Sequence, residues 1–166
     1  MHTDLPHSHK SPLRWLWLSG FVLMLDLVSK FMAQQMLEPF RPYGLLPFFN
    51  LTLVFNRGAA FSFLSDAAGW QRWFFIGLGL VAVVVIVIWL RVLTTRDKWT
   101  AAALALVLGG AVGNLLDRIW QGQVTDFLDV YYRDWHWPTF NIADSAISIG
   151  VGIFIIDNLW RFRQRP

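Results

Sequence analysis

Between Trp73 and Leu90 the chain reads WFFIGLGLVAVVVIVIWL, an apolar run with no charged side chain. Such a run approaches the roughly 20 residues that a helix needs to cross the hydrocarbon core of a bilayer. Working outward, three further stretches meet the same requirement: about Leu13 to Ala33, Trp99 to Leu116 and Ile142 to Trp160. The run from Trp99 is also uncharged, whereas the first and last contain acids. Composition points the same way. Of 166 residues, 55% are hydrophobic and only 15% charged, well away from the average soluble domain. A soluble domain of this size has too little interior to hide so much apolar surface. The expectation is an integral membrane protein, mainly α, in which four transmembrane helices form one domain over residues 1–166.

Charge sets the orientation. Lys10 and Arg14 precede the first span, Arg91, Arg96 and Lys98 link the second to the third, and Arg161, Arg163 and Arg165 close the chain. An even number of spans puts these clusters on one side, and the positive-inside rule makes that side cytoplasmic. The net charge of +3 is thereby explained by topology, and no nucleic-acid partner is expected. The C-terminal basic residues read as an orientation device. Trp15, Trp17, Trp89, Trp99 and Trp160 fall at inferred cytoplasmic helix ends; Trp70, Trp73, Trp120, Trp135 and Trp137 fall at or beyond the outer ends. This is the pattern of interfacial aromatic belts. The first span is too long for a cleaved signal peptide and lacks a small-residue cleavage site, so it reads as retained.

The two longer connections, about Gln34–Arg72 and Asp117–Asn141, then face outward. Pro39, Pro42, Gly44 and Pro47 break any helix after the first span. Alternation from Phe49 to Asn56, with Phe49, Leu51, Leu53 and Phe55 on one face, predicts a strand, and the β-branched and aromatic run Val124–Tyr132 predicts another. The reading is a small extracytoplasmic sheet on the outer membrane surface, its aromatic face toward lipid.

Ionisable residues inside a bilayer are costly and need a reason. Asp26 and Lys30 are one turn apart in the first span, and taken alone they read as a self-neutralising pair with Lys30 snorkelling outward. Asn114, Asp117 and Arg118 share a helix face at the end of the third span, behind the close-packing pattern Gly109-x-x-x-Gly113. Asn141 and Asp144 read as an N-cap and a first-turn acid after Pro138. Asn56-Arg57-Gly58 reads as a turn after a strand, and Asp126 lies in the second outer connection. Each has an ordinary structural explanation. Together, Asp26, Asn56, Asn114, Asp117, Asp126, Asn141 and Asp144 all fall near the outer boundary, and that convergence suggests a site.

The chemistry available there is limited. The chain has no Cys, which excludes disulfides and thiolate catalysis. Its one outer His, His136 between two tryptophans, reads as interfacial, with nothing to signal a pair with Ser62, Ser65 or Ser145. No H-E-x-x-H zinc signature occurs. Carboxylates remain: two close aspartates can share a proton, the ionised one activating water and the protonated one donating to a peptide carbonyl. Asp126 and Asp144 are the candidates. On the residues alone, an ion-coupled transporter or a non-catalytic assembly subunit stays open beside an aspartic protease. The transporter would need polar residues through the membrane's depth, and the second span has none.

Five blocks resemble the lipoprotein signal peptidases (signal peptidase II). They are Asp26-Leu27-Val28-Ser29-Lys30, Asn56-Arg57-Gly58-Ala59-Ala60-Phe61, Gly113-Asn114-Leu115-Leu116-Asp117-Arg118, Val124-Thr125-Asp126-Phe127 and Phe140-Asn141-Ile142-Ala143-Asp144-Ser145. They stand in the family's order and span nearly the whole chain. The resemblance implies an aspartic endopeptidase of the bacterial cytoplasmic (inner) membrane that needs no metal or organic cofactor. It implies diacylglyceryl-modified prolipoproteins as substrates, cut immediately before the lipidated Cys. Asp126 and Asp144 would be catalytic. Asn56, Gly58, Asn114, Asp117, Arg118 and Asn141 would hold the pair and the substrate backbone, with Asp26 and Lys30 supporting from the first helix. Globomycin-type inhibition is also implied; membrane lipids as surroundings and a monomeric state are expected beside it. Phe61, Phe63 and the aromatic strand face would form an apolar slot or lid for the lipid.

Overall fold

The computed structural model of the protein describes residues 12–58 and 69–164. The residues of the lipid-slot expectation at Phe61 and Phe63, the serines at 62 and 65, and Lys10 and Arg165 of the charge clusters lie outside that range. In chain order the elements are a 3₁₀ turn Pro12–Trp15, α1 (Leu16–Met36), β1 (Tyr43–Leu46), β2 (Phe49–Asn56), α2 (Trp70–Val92), α3 (Lys98–Trp120), β3 (Val124–Tyr132), β4 (Trp135–His136) and α4 (Ile142–Arg163). Among the described residues four helices are long and apolar enough to cross a membrane. The 23 residues of α2 and of α3 make helices about 35 Å long, enough for a core of about 30 Å. This is a multi-pass membrane protein.

The helix α3 is the hub, packing against each of the other three. Its sequence is small where neighbours come close. A Cβ on Gly109 would lie 2.7 Å from the Ser19 carbonyl and 2.8 Å from Val22 Cβ on α1. A Cβ on Gly113 would collide with the Asp26 carboxylate. The G-x-x-x-G pattern therefore does more than bring α1 close: its second glycine makes room for a charged side chain. Leu90, Ala101, Leu104, Leu108 and Ile86 form the α2–α3 apolar core, and the outward faces of α1, α2 and α4 present exposed Phe, Val, Ile and Leu, as lipid contact requires. Nine of the ten tryptophans are exposed near helix ends or on the sheet, in keeping with the aromatic belts.

The sheet is antiparallel with order β1-β2-β3-β4. Two of its strands were expected; β1 and β4 were not. All four residues of β1 are exposed, so no alternation marks it, and β4 is two residues long. The apolar face also differs from expectation. Leu51, Leu53 and Phe55 pack with Phe127 against Ala33 of α1, Leu37 just after it and Ile142 of α4, so much of this face closes the top of the helix bundle instead of facing lipid. A register shift between Leu51 and Val54 sets Val54 opposite Asp126 and Asn56 opposite Val124, which brings Asn56 diagonally onto Asp126.

Candidate active site

The sheet end of the bundle collects the polar residues that the sequence singles out. Asp26, Lys30, Asp117, Thr125, Asp126 and Asn141 are each no more than 2% exposed. Lys30 does not snorkel. Its ammonium points inward and meets Asp26 Oδ2 at 2.7 Å, Asp117 Oδ2 at 2.9 Å and Asn114 Oδ1 at 3.0 Å, three acceptors for three protons. Snorkelling would expose the ammonium but leave two buried carboxylates uncompensated, which is the costlier arrangement. Asp26 Oδ1 also accepts the Ala143 N–H at 2.9 Å, and Asp117 Oδ2 accepts the Thr125 N–H at 3.1 Å. These acids thus tie α1 to α4 and α3 to β3.

Three asparagines surround the two candidate catalytic aspartates, and each is oriented by a partner that can only donate. Lys30 fixes the Asn114 carbonyl, so Asn114 Nδ2 donates to Asp144 Oδ1 at 2.7 Å. The Asp144 N–H fixes the carbonyl of Asn141, the N-cap of α4, so Asn141 Nδ2 donates to Asp126 Oδ1 at 2.7 Å. The Gly58 N–H fixes the Asn56 carbonyl, so Asn56 Nδ2 donates to Asp126 Oδ2 at 3.2 Å. An ammonium and backbone N–H groups have no acceptor capacity, so none of these amides can turn over without losing a bond at both ends. The carboxylates therefore sit among preset donors.

Asp126 and Asp144 line one cleft of about 630 Å³ together with Asn56, Asn114 and Arg118. From the sheet the cleft continues along α4 past Ser145 and Ser148 to Ile149. Burial, and then the charge of Asp144, push the Asp126 carboxyl up to about 7, against the opposing hydrogen bonds of Asn56 and Asn141. A carboxyl in that range can hold a proton near neutrality. Arg118 donates to the Gly58 carbonyl at 3.1 Å and the Asn114 carbonyl at 3.2 Å, and lies over the Phe75 ring. Among the described residues no group of three His, Cys, Asp or Glu side chains is arranged to hold a metal ion. What the arrangement offers is a carboxylate pair with acid and base capacity, on a cleft running along a lipid-facing helix.

A family profile described as signal peptidase (SPase) II matches residues 18–160. The chain belongs to the signal peptidase II family. It is accordingly a hydrolase, a protease of the aspartic class acting in removal of prolipoprotein signal peptides. A lipoprotein signal peptidase of Hydrogenovibrio crunogenus is 49% identical, over 90% of this chain and 87% of that one. One from Polynucleobacter necessarius is 51% identical, over 87% and 88%. A solved bacterial membrane enzyme shares the fold, with 28% identity and a TM-score of 0.85, covering 96% of this chain and 97% of that one.

All ten residues singled out from the sequence meet at this end of the signal peptidase fold, with Gly58 contributing backbone atoms only. Several contributors were not visible in the sequence. Arg72 donates to the Arg118 and Ile119 carbonyls at 3.0 and 2.8 Å, capping the end of α3 behind Arg118, where Gly122 with φ 75° turns the chain toward β3. Thr125, fully buried, accepts from Gln34 at 2.7 Å. His136, read as merely interfacial, is half exposed and pairs with the buried Asp129 at 2.7 Å. Its partner comes from the neighbouring strand, and only the hairpin register brings the two together.

Proposed function

We propose that Asp126 and Asp144 form the catalytic dyad that cuts diacylglyceryl-modified prolipoproteins immediately before the lipidated Cys. The observation that carries this reading is the meeting of two carboxylates on a cleft that extends along α4, where a substrate helix lying in the bilayer has direct access. One aspartate, ionised, takes a proton from water as its oxygen attacks the scissile carbonyl. The other, protonated, gives its proton to the carbonyl oxygen. Collapse of the tetrahedral intermediate breaks the C–N bond, the leaving nitrogen takes up a proton, and the dyad regains its single proton. The pair titrates as a unit, so base and acid are not divided between the two. Asn56, Asn114 and Asn141 hold the carboxylates in place; Arg118 borders the cleft where the substrate backbone lies, held by the Gly58 carbonyl; Asp26, Lys30 and Asp117 brace the asparagines.

The distribution of Arg and Lys supports placing both termini in the cytoplasm and the sheet on the outer face of the bacterial inner membrane. In that orientation the dyad lies at the outer boundary, the level at which a lipidated Cys anchored in the outer leaflet would sit. We expect globomycin-type inhibitors to act on this cleft and the protein to act as a monomer in its lipid surroundings. The test is mass spectrometry of products from purified enzyme with a lipidated prolipoprotein and its unlipidated counterpart. The expected result is one cut, leaving the lipidated Cys as the new N-terminus, with the unlipidated chain intact. Cleavage elsewhere, or equal cleavage of both, would contradict the proposal.

A further inference from the structure

A second, more open groove of about 500 Å³ lies beside the dyad cleft, and the two share the wall Trp137-Pro138-Thr139. Pro42, Thr52, Asp129 and His136 line the rest of the groove. The wall itself is fixed: the Trp137 N–H donates to the Val130 carbonyl at 2.8 Å, and Phe140 and Leu128 exchange backbone bonds of 3.0 and 2.8 Å. The floor is fixed as well. Asp129 is 3% exposed, and its carboxylate accepts from Asn50 at 3.2 Å and Thr52 at 3.0 Å besides its 2.7 Å contact with His136 Nδ1. Burial opposes ionisation of Asp129, but the bonds from His136, Asn50 and Thr52 outweigh it and hold the carboxyl below its ordinary value. An ionised carboxylate can only accept, so Nδ1 carries a hydrogen and Nε2 is left as the ring's other polar atom. The ring is also stacked on Tyr131, with centroids 5.1 Å apart and planes 16° from parallel. A half-exposed imidazole is thus locked in tautomer and orientation by three strands, and none of this apparatus touches the dyad.

The dyad cleft has one continuation along α4 toward the lipid side and this groove as its neighbour on the sheet side. A cut substrate has two arms, and the signal helix takes the first. We propose that the second groove is the subsite for the polypeptide just downstream of the scissile bond, an extended polar segment whose backbone or hydroxyl hydrogen-bonds His136 Nε2. The inference rests on the dyad assignment above. Asp129 is then a positioning residue and His136 a specificity-determining one. An extended chain needs only a few residues to pass the shared wall at about 3.3 Å each.

The test pairs two lipidated substrates, one ending at the modified Cys and one with six further residues, against wild type and His136→Phe. Phe keeps a ring to stack on Tyr131 and removes both nitrogens; His136→Gln restores a polar group. Wild type should favour the longer substrate about ten-fold in kcat/KM, chiefly through KM, and His136→Phe should shrink that ratio to about two-fold, with partial recovery in His136→Gln. Equal losses on both substrates would make His136 a structural prop, and no length preference in wild type would empty the groove of its role; either overturns the proposal. A photoreactive group two residues after the Cys gives a reading that does not need turnover. Adducts at Pro42, Thr52 or residues 136–139 support the subsite and adducts elsewhere overturn it, even if wild type cleaved neither substrate and the dyad assignment itself fell.

Discussion

The two ends of the helix bundle are built from the same residue types and reach opposite electrostatic outcomes. At the end bearing the termini, Arg161 on α4 donates to Asp97 at 2.6 Å and Asp157 at 3.1 Å, while Thr94 and Thr100 donate to the same two acids at 2.6 and 2.7 Å. The hydrogen bond from Thr94, with Arg161 next, holds Asp97 down at about 2. At the sheet end, Asp126 is driven up to about 7. Asp97 accepts three hydrogen bonds and Asp126 two, so the count alone does not separate them. The difference lies in water and charge balance. Arg161 is 41% exposed, so solvent shares the cost of ionisation. Among the described residues at the sheet end, the carboxylates of Asp26, Asp117, Asp126 and Asp144 stand with the cations Lys30, Arg57 and Arg118, and Lys30 is already engaged by Asp26 and Asp117. An acid-rich, dry cluster keeps a proton, whereas a neutralised, wet one does not. The first arrangement suits catalysis and the second a clasp between helices.

The largest effect that could break this contrast is loss of the dyad. Asp126→Asn and Asp144→Asn each keep shape and remove one titratable oxygen, and each should lower cleavage of the lipidated substrate by about 10³-fold or more, with the variants still folded in detergent by thermal unfolding. Near-normal turnover in either would return that aspartate to a structural role.

Lys30→Met comes next. It leaves Asp26 and Asp117 buried without their cation and releases the Asn114 carbonyl. The expected cost is about 3–5 kcal/mol of stability, read by chemical denaturation, with turnover of the folded fraction down about 100-fold.

The proton on the dyad gives a smaller, graded effect. Asp126 titrates higher when folded than when unfolded, so the folded chain binds more protons between its ordinary value of 3.8 and about 7. Its contribution to stability therefore declines as pH rises through that window. Activity should follow on the alkaline side, with kcat/KM falling above about pH 7 as the pair loses its shared proton. A rate that stays flat to pH 9 would contradict this.

The clasp should matter least. Asp97→Asn should cost at most about 1 kcal/mol, because the pair is partly solvated, and leave cleavage unaltered. Asp97 is depressed when folded, so its contribution holds above pH 3.8 and is lost as pH falls toward about 2. Thermal unfolding of the variant against wild type at pH 7 and pH 3 reads both.

Much of this was legible in the sequence because bilayers impose coarse rules: the spans, the two long strands and the level of the polar residues follow from apolar length and alternation. What escaped depends on register and packing. The helix α2 begins at Trp70 and not Trp73: Gln71 and Arg72 end the apolar run in the sequence, yet Gln71 is buried and Arg72 bonds to the end of α3. Lys30 was read outward because its partners Asn114 and Asp117 are more than eighty residues away. Arg161 was read as an orientation signal only, yet it also joins α4 to the loop before α3. Asp129 and His136 gave no signal, since their meeting requires β2, β3 and β4 to be in register. The catalytic candidates themselves were found by convergence on one level of the membrane, and the obligate donors that orient their asparagines became visible only in three dimensions.

The most direct measurement is the titration of the Asp126 carboxyl, by carbon-13 NMR of labelled protein, in wild type and in Asp144→Asn. Burial and then the Asp144 charge predict a value of about 7 in wild type, and shared-proton chemistry predicts a fall in the variant that stops above the ordinary 3.8, because burial, the larger cause, persists. An unchanged value would mean that the two aspartates do not act as one unit, and the dyad at the centre of this account would fail.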